Sequence, residues 1–390
     1  MSKLLIVHES PCVGGAEFYL FNVVKAAVQK GMTVQVLLCE SHCPVELETT
    51  LESVGAEVIR TDFNLSNPKF WRVFPKAWRL LKSLEFDFIF FNKRIDWYDF
   101  RHIILAARLL RKSRLVAVEH WHPDGWPIYP HKQYSLNLNL RQTWLKLKCR
   151  IYASCFDEII CMNSRARDVF ITQYGYPSDR LHVIYNGVDT ERFTFSQTAR
   201  NAVRTELAIR DNTQLLVVAA GRLSQEKGFD VLVDAWNLLD DVIKERAILC
   251  LAGEGAEREN LEKQVISLGV QNEVRFIGQY ENMPALLSAA DLFVAPSRRE
   301  SFGLSIAEAM SVGCCVIATQ AGGIPELLGD TGIYVEEEHV SSLSQAINKI
   351  LADTVYRQKV ARLQCSRVRD VFSLDKSIQN TLSLIKGKTD

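Results

Sequence analysis

The chain of 390 residues has no Cys-x-x-Cys pair, no excess of charge of either sign and no long apolar run. Its ten cysteines therefore do not form the paired-thiol pattern of a zinc ribbon or a thioredoxin-like site. Lys and Arg together number 46, as do Asp and Glu, so the net charge does not favour nucleic acid as a partner. The apolar runs are strand-sized and fall short of the roughly 18–20 residues of a membrane span.

What is present is the composition of an ordinary globular protein. Apolar residues make up 47% of the chain and charged residues 24%, which excludes disorder and collagen-like repeats. At roughly 100–200 residues per domain, the length predicts two domains. Several cysteines lie in apolar segments, and the first residues contain no h-region of a signal peptide. Together these features predict a cytoplasmic protein.

Short apolar strands alternate with helical stretches along the whole chain. The predicted strands of the first half are 4–7, 33–38, 57–60, 86–91 and 115–118, and those of the second half are 215–220, 247–252, 274–277, 292–295 and 315–318. Most of these strands are continuously apolar, which is typical of strands buried on both faces of a parallel sheet. The alternation restarts after a turn-rich stretch at 186–192, so we expect two doubly wound α/β domains, 1–190 and 191–371, with ligands bound in a cleft between them. The first 190 residues carry a net charge of +5 (24 basic, 19 acidic) and the rest −5 (22 basic, 27 acidic).

The segment 219–228 contains two cations in the loop that follows a predicted buried strand. Arg222 and Lys227 lie between Gly221 and Gly228, which suits a pyrophosphate because Arg offers a bidentate fork and Lys a mobile point charge. A solvated basic loop is the alternative reading of these residues alone.

Two carboxylates border the start of a later helix. Glu300 precedes residues 301–304, which we place in the first helical turn, where backbone N–H groups bind phosphate. Glu308 lies about two turns further along an otherwise apolar helix, and ribose hydroxyls would give it a partner. The alternatives are a helix-surface residue for Glu308 and an N-terminal cap charge for Glu300.

Two weaker features belong to the first half. Gly14 and Gly15 open the helix that follows the first strand and allow an anion to approach the backbone closely. His120 ends the strand 115–118, and at that edge of a doubly wound sheet it either serves the site or is a rim histidine with one hydrogen bond.

These segments together resemble the retaining GT-B glycosyltransferases of family 4 over nearly the whole chain. The matching motifs are the glycine-rich first loop at Gly14 and Gly15, the histidine at His120, Asn-Gly-Val-Asp at 186–189, Gly-Arg-x4-Lys-Gly at 221–228, Ala-Gly-Glu-Gly at 252–255, the E-x7-E pair Glu300 and Glu308, and Gly-Gly-Ile-Pro-Glu at 322–326. The resemblance implies a GT-B fold with two Rossmann-like domains facing an interdomain cleft. It also implies that a helix at about 372–390 crosses back to the N-terminal domain.

The resemblance further implies a nucleotide-sugar donor, with uridine as the expected base, held mainly by the C-terminal domain. Its implied nucleotide-sugar-binding residues are Gly14, Gly15, Arg222, Lys227, Gly253, Glu300, Phe302, Gly303, Leu304 and Glu308, and its implied catalytic residues are Glu300, His120, Arg222 and Lys227. The nucleotide sugar is a substrate, and we expect no cofactor. No Asp-x-Asp occurs in the sequence, so we expect cations and helix N-termini, and no metal ion, to stabilise the leaving diphosphate.

The acceptor, a glycan or a lipid-linked molecule, is expected on the N-terminal domain. Residues 69–82 carry Lys69, Arg72, Lys76 and Arg79 at helical spacing beside aromatic residues, and no acid occurs between Asp62 and Glu85. Such a stretch fits peripheral contact with the inner face of a membrane, or an ordinary packed helix with a solvated basic face. We expect a helix break at Pro75.

Three other functions remain open from sequence. A dinucleotide-dependent oxidoreductase would use Gly253-x-Gly255, but Arg258 occupies the position of its third glycine. A nucleotide-sugar epimerase or a phosphorylase would keep the fold and change the chemistry. A non-catalytic glycan- or partner-binding protein of the same fold is the third alternative.

Overall fold

The structure, a computed structural model, describes residues 1–9, 15–39, 43–63, 70–93, 100–110, 113–120, 138–209 and 213–387. The chain divides into two compact units. The first comprises Met1–Tyr185 with Lys376–Asp390, and the second Asn186–Asp375. The sequence predicted a domain boundary between residues 190 and 191, and a return of the chain to the N-terminal domain at about residue 372.

The N-terminal unit is built on a parallel sheet of seven strands in the order β3-β2-β1-β4-β5-β6-β7. The strands are β1 (Lys3–His8), β2 (Thr33–Cys39), β3 (Glu57–Thr61), β4 (Phe88–Lys93), β5 (Arg114–Glu119), β6 (Glu158–Cys161) and β7 (Leu181–Val183). The strand order reverses between β1 and β4, so the carboxyl ends of these two strands flank the switch point of the sheet.

In the described segments of this unit, six helices connect these strands: α1 (Gly15–Gln29), α2 (Val45–Ser53), α3 (Phe70–Ser83), α4 (Arg101–Leu110), α5 (Leu138–Ala153) and α6 (Ser164–Thr172). Buried side chains of α3, α4, α5 and α6 share one hydrophobic core with alternate residues of the strands. These four helices therefore cover one face of the sheet, and right-handed crossovers place α1 and α2 on the other.

The predicted break at Pro75 does not occur. Helix α3 runs without interruption from Phe70 to Ser83, with Pro75 inside it. The stripe formed by Val73, Ala77 and Leu81 is buried, and α3 packs along α4. This packing holds the helix together although Pro75 supplies no N–H to the backbone ladder.

The C-terminal unit has a parallel sheet of six strands in the order β10-β9-β8-β11-β12-β13. The strands are β8 (Leu215–Ala220), β9 (Ala247–Ala252), β10 (Val274–Gly278), β11 (Leu292–Ala295), β12 (Cys315–Thr319) and β13 (Ile333–Val335). The helices are α7 (Gln197–Glu206), α8 (Phe229–Asn237), α9 (Asp241–Lys244), α10 (Arg258–Ser267), α11 (Met283–Ala289), α12 (Leu304–Val312), α13 (Ile324–Leu328), α14 (Val340–Ala352) and α15 (Thr354–Val371). Both sheets are thus doubly wound α/β sheets, as the sequence predicted.

The last helix, α16 (Leu374–Lys386), belongs to the N-terminal unit from Lys376 onward. A buried hydrogen bond joins the hydroxyls of Tyr19 in α1 and Thr381 in α16, with 2.6 Å between the oxygens. The hydroxyl of Ser377 also donates to the carbonyl of Tyr185 at 2.6 Å. Among the helices that the structure describes, none is both long and apolar enough to cross a bilayer.

Candidate functional site

The predicted phosphate-binding loops follow the two strands at the switch point of the C-terminal sheet. Strands β8 and β11 are hydrogen-bonded neighbours from which the strand order runs outward in opposite directions. The loop 221–228 follows β8, and the loop 296–303 follows β11. In open α/β sheets, ligands bind beyond the carboxyl ends of the strands at this point.

Two of the predicted site residues form an ion pair there. The ammonium of Lys227 donates to the carboxylate of Glu300, with 2.5 Å between Nζ and Oε2. Their side chains are only 21% and 13% exposed, so the pair is screened less than a surface ion pair. Residues 73 positions apart in sequence are thereby joined in one charged centre.

Arg222 lies in the same loop as Lys227 but differs in its surroundings. Its side chain is exposed, and no residue in the described part of the chain forms an ion pair with its guanidinium. A cation directly after a strand at the switch point is available to an anionic ligand.

Glycines let the backbones of neighbouring loops at this edge of the sheet lie in direct contact. A Cβ on Gly253 would lie 1.9 Å from the carbonyl oxygen of Gly221, and one on Gly228 would lie 2.1 Å from that of Pro296. A Cβ on Gly322 would lie 1.7 Å from the carbonyl oxygen of Glu300. Any side chain at these positions would separate the loops. The glycines therefore fix the position of Glu300 and of the loop 221–228, the basic loop that carries Arg222 and Lys227.

Arg298 anchors the basic loop through hydrogen bonds. Its guanidinium donates to both carboxylate oxygens of Asp230, at 2.8 and 2.7 Å, and to the carbonyl of Gln225 at 2.7 Å. Burial is the largest single influence and acts to raise the pKa of Asp230, but the hydrogen bonds and charge of Arg298, together with backbone hydrogen bonds, outweigh it and the pKa is lowered. This bidentate pair holds the 3₁₀ turn Gln225–Lys227 in place, and sequence reasoning missed it. The pair Arg298-Arg299 directly before Glu300 was the only local signal.

Glu308 lies in α12 among buried apolar neighbours and is itself half-buried. Burial raises the pKa of its carboxyl to about 7, and the charge of Arg192 partly opposes this shift. Hydroxyl donors of a ligand would stabilise the ionised form of this carboxyl, because a carboxylate accepts hydrogen bonds more strongly than a protonated carboxyl.

The helix after Glu300 begins later than the sequence suggested. We placed residues 301–304 in its first turn, but α12 starts at Leu304, since Gly303 has a φ of 93° and cannot be helical. The side chain of Phe302 is buried against Phe372, with ring centroids 5.6 Å apart. Only the backbone of Phe302 and Gly303 is therefore left for a ligand.

In the N-terminal unit, Gly15 is the first residue of α1, and Gly14 lies outside the described residues. His120 directly follows β5 and is half-buried. Its Nε2 lies 2.7 Å from Oδ1 of Asn92. Burial, with a smaller contribution from His8 and against the opposing charge of Glu17, lowers the pKa of His120 to about 3. His120 is thus a neutral imidazole at physiological pH.

Asn92 was not recognised as a site residue from the sequence. It sits at the end of β4, is fully buried, and contacts His120 from the neighbouring strand. A polar residue after four apolar ones in Phe-Ile-Phe-Phe-Asn was the available signal, because buried polar groups need partners. Within the parts of the chain that the structure describes, no group of three or more His, Cys, Asp or Glu side chains is placed to hold a metal ion.

Two family models match the chain. "Glycosyltransferase Family 4" matches residues 13–192, and "Glycosyl transferases group 1" matches residues 203–363. The two matches divide the chain as the two structural units do, with the basic loop and both glutamates in the second.

Several curated and solved proteins are similar. The mannosylfructose-phosphate synthase of Agrobacterium fabrum is 29% identical over 408 aligned positions, covering 96% of this chain and 87% of its own. The GDP-mannose-dependent α-(1-6)-phosphatidylinositol monomannoside mannosyltransferase of Mycolicibacterium smegmatis is 30% identical over 258 residues, covering 63% of each chain. The crystal structure of Anabaena HepE in complex with UDP has a TM-score of 0.80 at 24% identity, covering 99% of this chain and 100% of its own, and shows the shared fold. The chain belongs to the family 4 (group 1) glycosyltransferases, with the two Rossmann-like domains of the GT-B fold.

Proposed function

We propose that this glycosyltransferase moves a sugar from a nucleoside diphosphate to a glycan or lipid-linked acceptor, with retention of anomeric configuration and without a metal ion. The observation that carries the proposal is the ion pair of Lys227 and Glu300 at the switch point of the C-terminal sheet, with the exposed Arg222 in the same loop as Lys227. Cations there match a diphosphate, and the carboxylate matches sugar hydroxyls. NMR coupling constants of the product's anomeric proton test retention.

The chemistry follows from where charge develops. Breaking the anomeric C–O bond leaves negative charge on the diphosphate, and preorganised cations at that position lower the barrier. Arg222 and Lys227 supply this charge in the proposal, and the backbone N–H groups that open α12 add to it. His120, a neutral imidazole, contacts the transferred sugar.

The ion pair between Lys227 and Glu300 gives donor binding a defined exchange. Without donor, each group is the partner of the other. When the diphosphate arrives, its oxygens take over the ammonium of Lys227, and the carboxylate of Glu300 becomes free to accept hydrogen bonds from sugar hydroxyls. Both charged groups are therefore already in place before the donor binds, and little reorganisation of the protein is needed.

The base of the donor is proposed to be uridine, with guanosine as the first alternative. A solved relative of the same fold holds UDP, whereas a curated relative is named for GDP-mannose. Both names support a nucleoside diphosphate as part of the donor.

The raised pKa of Glu308 predicts that affinity for the donor depends on pH. The pKa of about 7 that burial gives this carboxyl should fall when ribose hydroxyls donate to it, so donor binding releases a proton. The carboxylate is about 9% populated at pH 6 and about 91% at pH 8, so affinity for the nucleotide sugar should rise about tenfold between them. Isothermal titration at both pH values measures this. A nucleotide sugar is the right ligand because its diphosphate has no ionisation of its own in this range.

The variant Glu308→Gln serves as the control. Its affinity should be lower at pH 8 and the same at both pH values. Because a raised carboxyl pKa stabilises the fold at low pH and loses this effect as pH rises through about 7, Glu308→Gln should also be more stable than wild type at pH 8, by about 1–3 kcal/mol. A wild-type affinity that is flat from pH 6 to 8 would contradict the ribose assignment.

The acceptor is proposed to be presented at an anionic membrane surface on the cytoplasmic side. Helices α3, α4 and α5 lie on one face of the N-terminal sheet and contain four, two and four basic residues, respectively, and no acid. Helix α2 of the opposite face contains three glutamates and no basic residue. This asymmetry gives the unit one cationic layer, which anionic lipid attracts.

The apolar residues suited to a bilayer lie on α5. The sequence singled out residues 69–82, but Val73, Ala77 and Leu81 of α3 are core residues, and Lys69 lies outside the described range. On α5, in contrast, Trp144, Leu147 and Ile151 are 60%, 54% and 61% exposed at one-face helical spacing. Such a stripe within a cationic surface fits the headgroup region of a bilayer.

Vesicle binding tests this surface. The protein should co-sediment with phosphatidylglycerol vesicles at low salt. It should stay in the supernatant when the vesicles consist of neutral phosphatidylcholine. Leu147→Ser should weaken binding about fivefold, since it removes about 1 kcal/mol of apolar burial. Leu238→Ser is the matched control, because Leu238 is also 54% exposed but lies in the C-terminal unit. Equal effects of the two variants, or no binding, would remove the membrane proposal.

A further inference from the structure

A chain of buried polar side chains runs behind His120 in the N-terminal unit. Asn92 and His8 are fully buried at the carboxyl ends of the adjacent strands β4 and β1, and Glu17 of α1 is 2% exposed. Nε2 of His8 lies 3.3 Å from Oε1 of Glu17, and Nδ1 of His8 lies 3.1 Å from Nδ2 of Asn92. Buried polar groups are costly unless they are bonded, so this arrangement calls for a reason beyond packing.

The orientation of the Asn92 amide follows from its neighbours. The carbonyl oxygen of Ala16 lies 3.2 Å from Asn92 and accepts hydrogen bonds only, so the NH₂ group of Asn92 must face it. The amide oxygen of Asn92 consequently faces Nε2 of His120 at 2.7 Å. A flipped amide would place two acceptors in contact at Ala16.

The orientation of Asn92 in turn determines the proton on His120. An amide oxygen accepts only, so Nε2 of His120 must carry the hydrogen and donate it. Burial keeps the ring neutral, so Nδ1 has a lone pair. Among the residues that the structure describes, none donates to Nδ1, and the ring of Tyr19 packs edge-on against the imidazole at 5.1 Å.

We propose that Asn92 is a positioning residue that locks His120 as the neutral Nε2–H tautomer, so that Nδ1 accepts a hydrogen bond from a hydroxyl of the transferred sugar. The sugar contact rests on the proposed function, whereas the tautomer lock does not. Ala16 and His8 contact Asn92, and Glu17 lies 3.3 Å from His8, so the buried contacts run from α1 through β1 and β4 to the residue that follows β5.

Nitrogen-15 NMR of the full chain, labelled at histidine, tests the lock directly. The two-bond correlation pattern distinguishes Nε2–H from Nδ1–H imidazole, and His120→Phe assigns the signals. Wild-type His120 should show the Nε2–H pattern, unchanged from pH 5 to 8. An Nδ1–H pattern, or titration within this range, would overturn the proposal.

Variants of Asn92 give the second readout. Asn92→Ala removes the acceptor, so the signals of His120 should shift to a mixture of tautomers. Asn92→Asp keeps an acceptor and adds a negative charge, which should preserve Nε2–H and bring the titration of His120 into the range of pH 5 to 8. If the alanine variant does not fold, the aspartate variant alone decides. The control is Asn163→Ala, which removes a buried Asn that caps α6, accepts from the Ala166 N–H at 2.6 Å, and should leave the His120 pattern intact.

Kinetics separate this inference from the proposed function. Asn92→Ala should lower kcat about tenfold, the cost of one hydrogen bond in the transition state, with affinity for the nucleoside diphosphate alone unchanged. A confirmed Nε2–H lock in a protein that transfers no sugar from any nucleotide donor would overturn the function and leave the lock standing. Unchanged tautomer signals in Asn92→Ala would overturn the lock whatever the activity.

Discussion

Lys227→Ala and Arg222→Ala should each lower kcat by about 10²-fold or more. In the proposed mechanism both residues place a positive charge at the diphosphate that leaves in the transition state, and loss of one such group typically costs this much. Single-turnover kinetics with a nucleotide sugar measure the effect on the chemical step.

The two variants should differ in stability, which separates loss of charge from loss of fold. Lys227→Ala leaves the poorly exposed carboxylate of Glu300 without its partner, so the free energy of unfolding should fall by about 1–3 kcal/mol. Arg222 is exposed, so Arg222→Ala should change stability by less than about 0.5 kcal/mol. Near-wild-type turnover in both variants would contradict the assignment of these cations to the diphosphate.

Gly322→Ala should lower kcat about 10²-fold and destabilise the protein by several kcal/mol. The added Cβ would lie 1.7 Å from the carbonyl oxygen of Glu300, so the backbone that carries this carboxylate must move. A misplacement of about 1 Å at a reacting centre costs about this factor in rate. Urea denaturation and steady-state kinetics measure the two effects.

Gly313→Ala is the matched control. Gly313 also has a left-handed φ, of 87°, but nothing lies within 4 Å of the position that an added Cβ would take. This substitution should therefore cost only the backbone strain of about 1–2 kcal/mol and leave kcat unchanged. Equal kinetic effects of both substitutions would mean that contact with Glu300 does not matter for the reaction.

Most strands could be predicted from sequence, edge strands β3 and β10 included, whereas three of the shortest could not. The strands 215–220, 247–252 and 292–295 have the predicted bounds, because continuous apolar runs mark strands buried on both faces. Strands β6, β7 and β13 were not predicted, and β7 and β13 have only three residues each, too few for an apolar pattern to be distinguished from a loop. Their pairing with longer neighbours defines them, and that pairing is a tertiary property.

The site divides in the same way. The placement of Arg222, Lys227 and Glu300 was predictable, since each lies in a short loop after a recognisable strand. The pairing of Lys227 with Glu300 and of Asn92 with His120 was not, because each joins distant segments through the register of adjacent parallel strands. The start of α12 was misplaced because the left-handed conformation of Gly303 depends on its loop.

A thermal-shift panel with UDP, GDP, ADP and NAD, and with the corresponding UDP- and GDP-sugars, tests the central claim most directly. Each ligand is measured with and without EDTA. A nucleoside diphosphate or its sugar at 100 times its Kd should add about 2.7 kcal/mol to the stability of the folded state, equally with and without EDTA. Arg222→Ala, which leaves the fold intact, should reduce this shift. Stabilisation by NAD alone, or by a diphosphate only in the absence of EDTA, would contradict a metal-free nucleotide-sugar site at Arg222, Lys227 and Glu300.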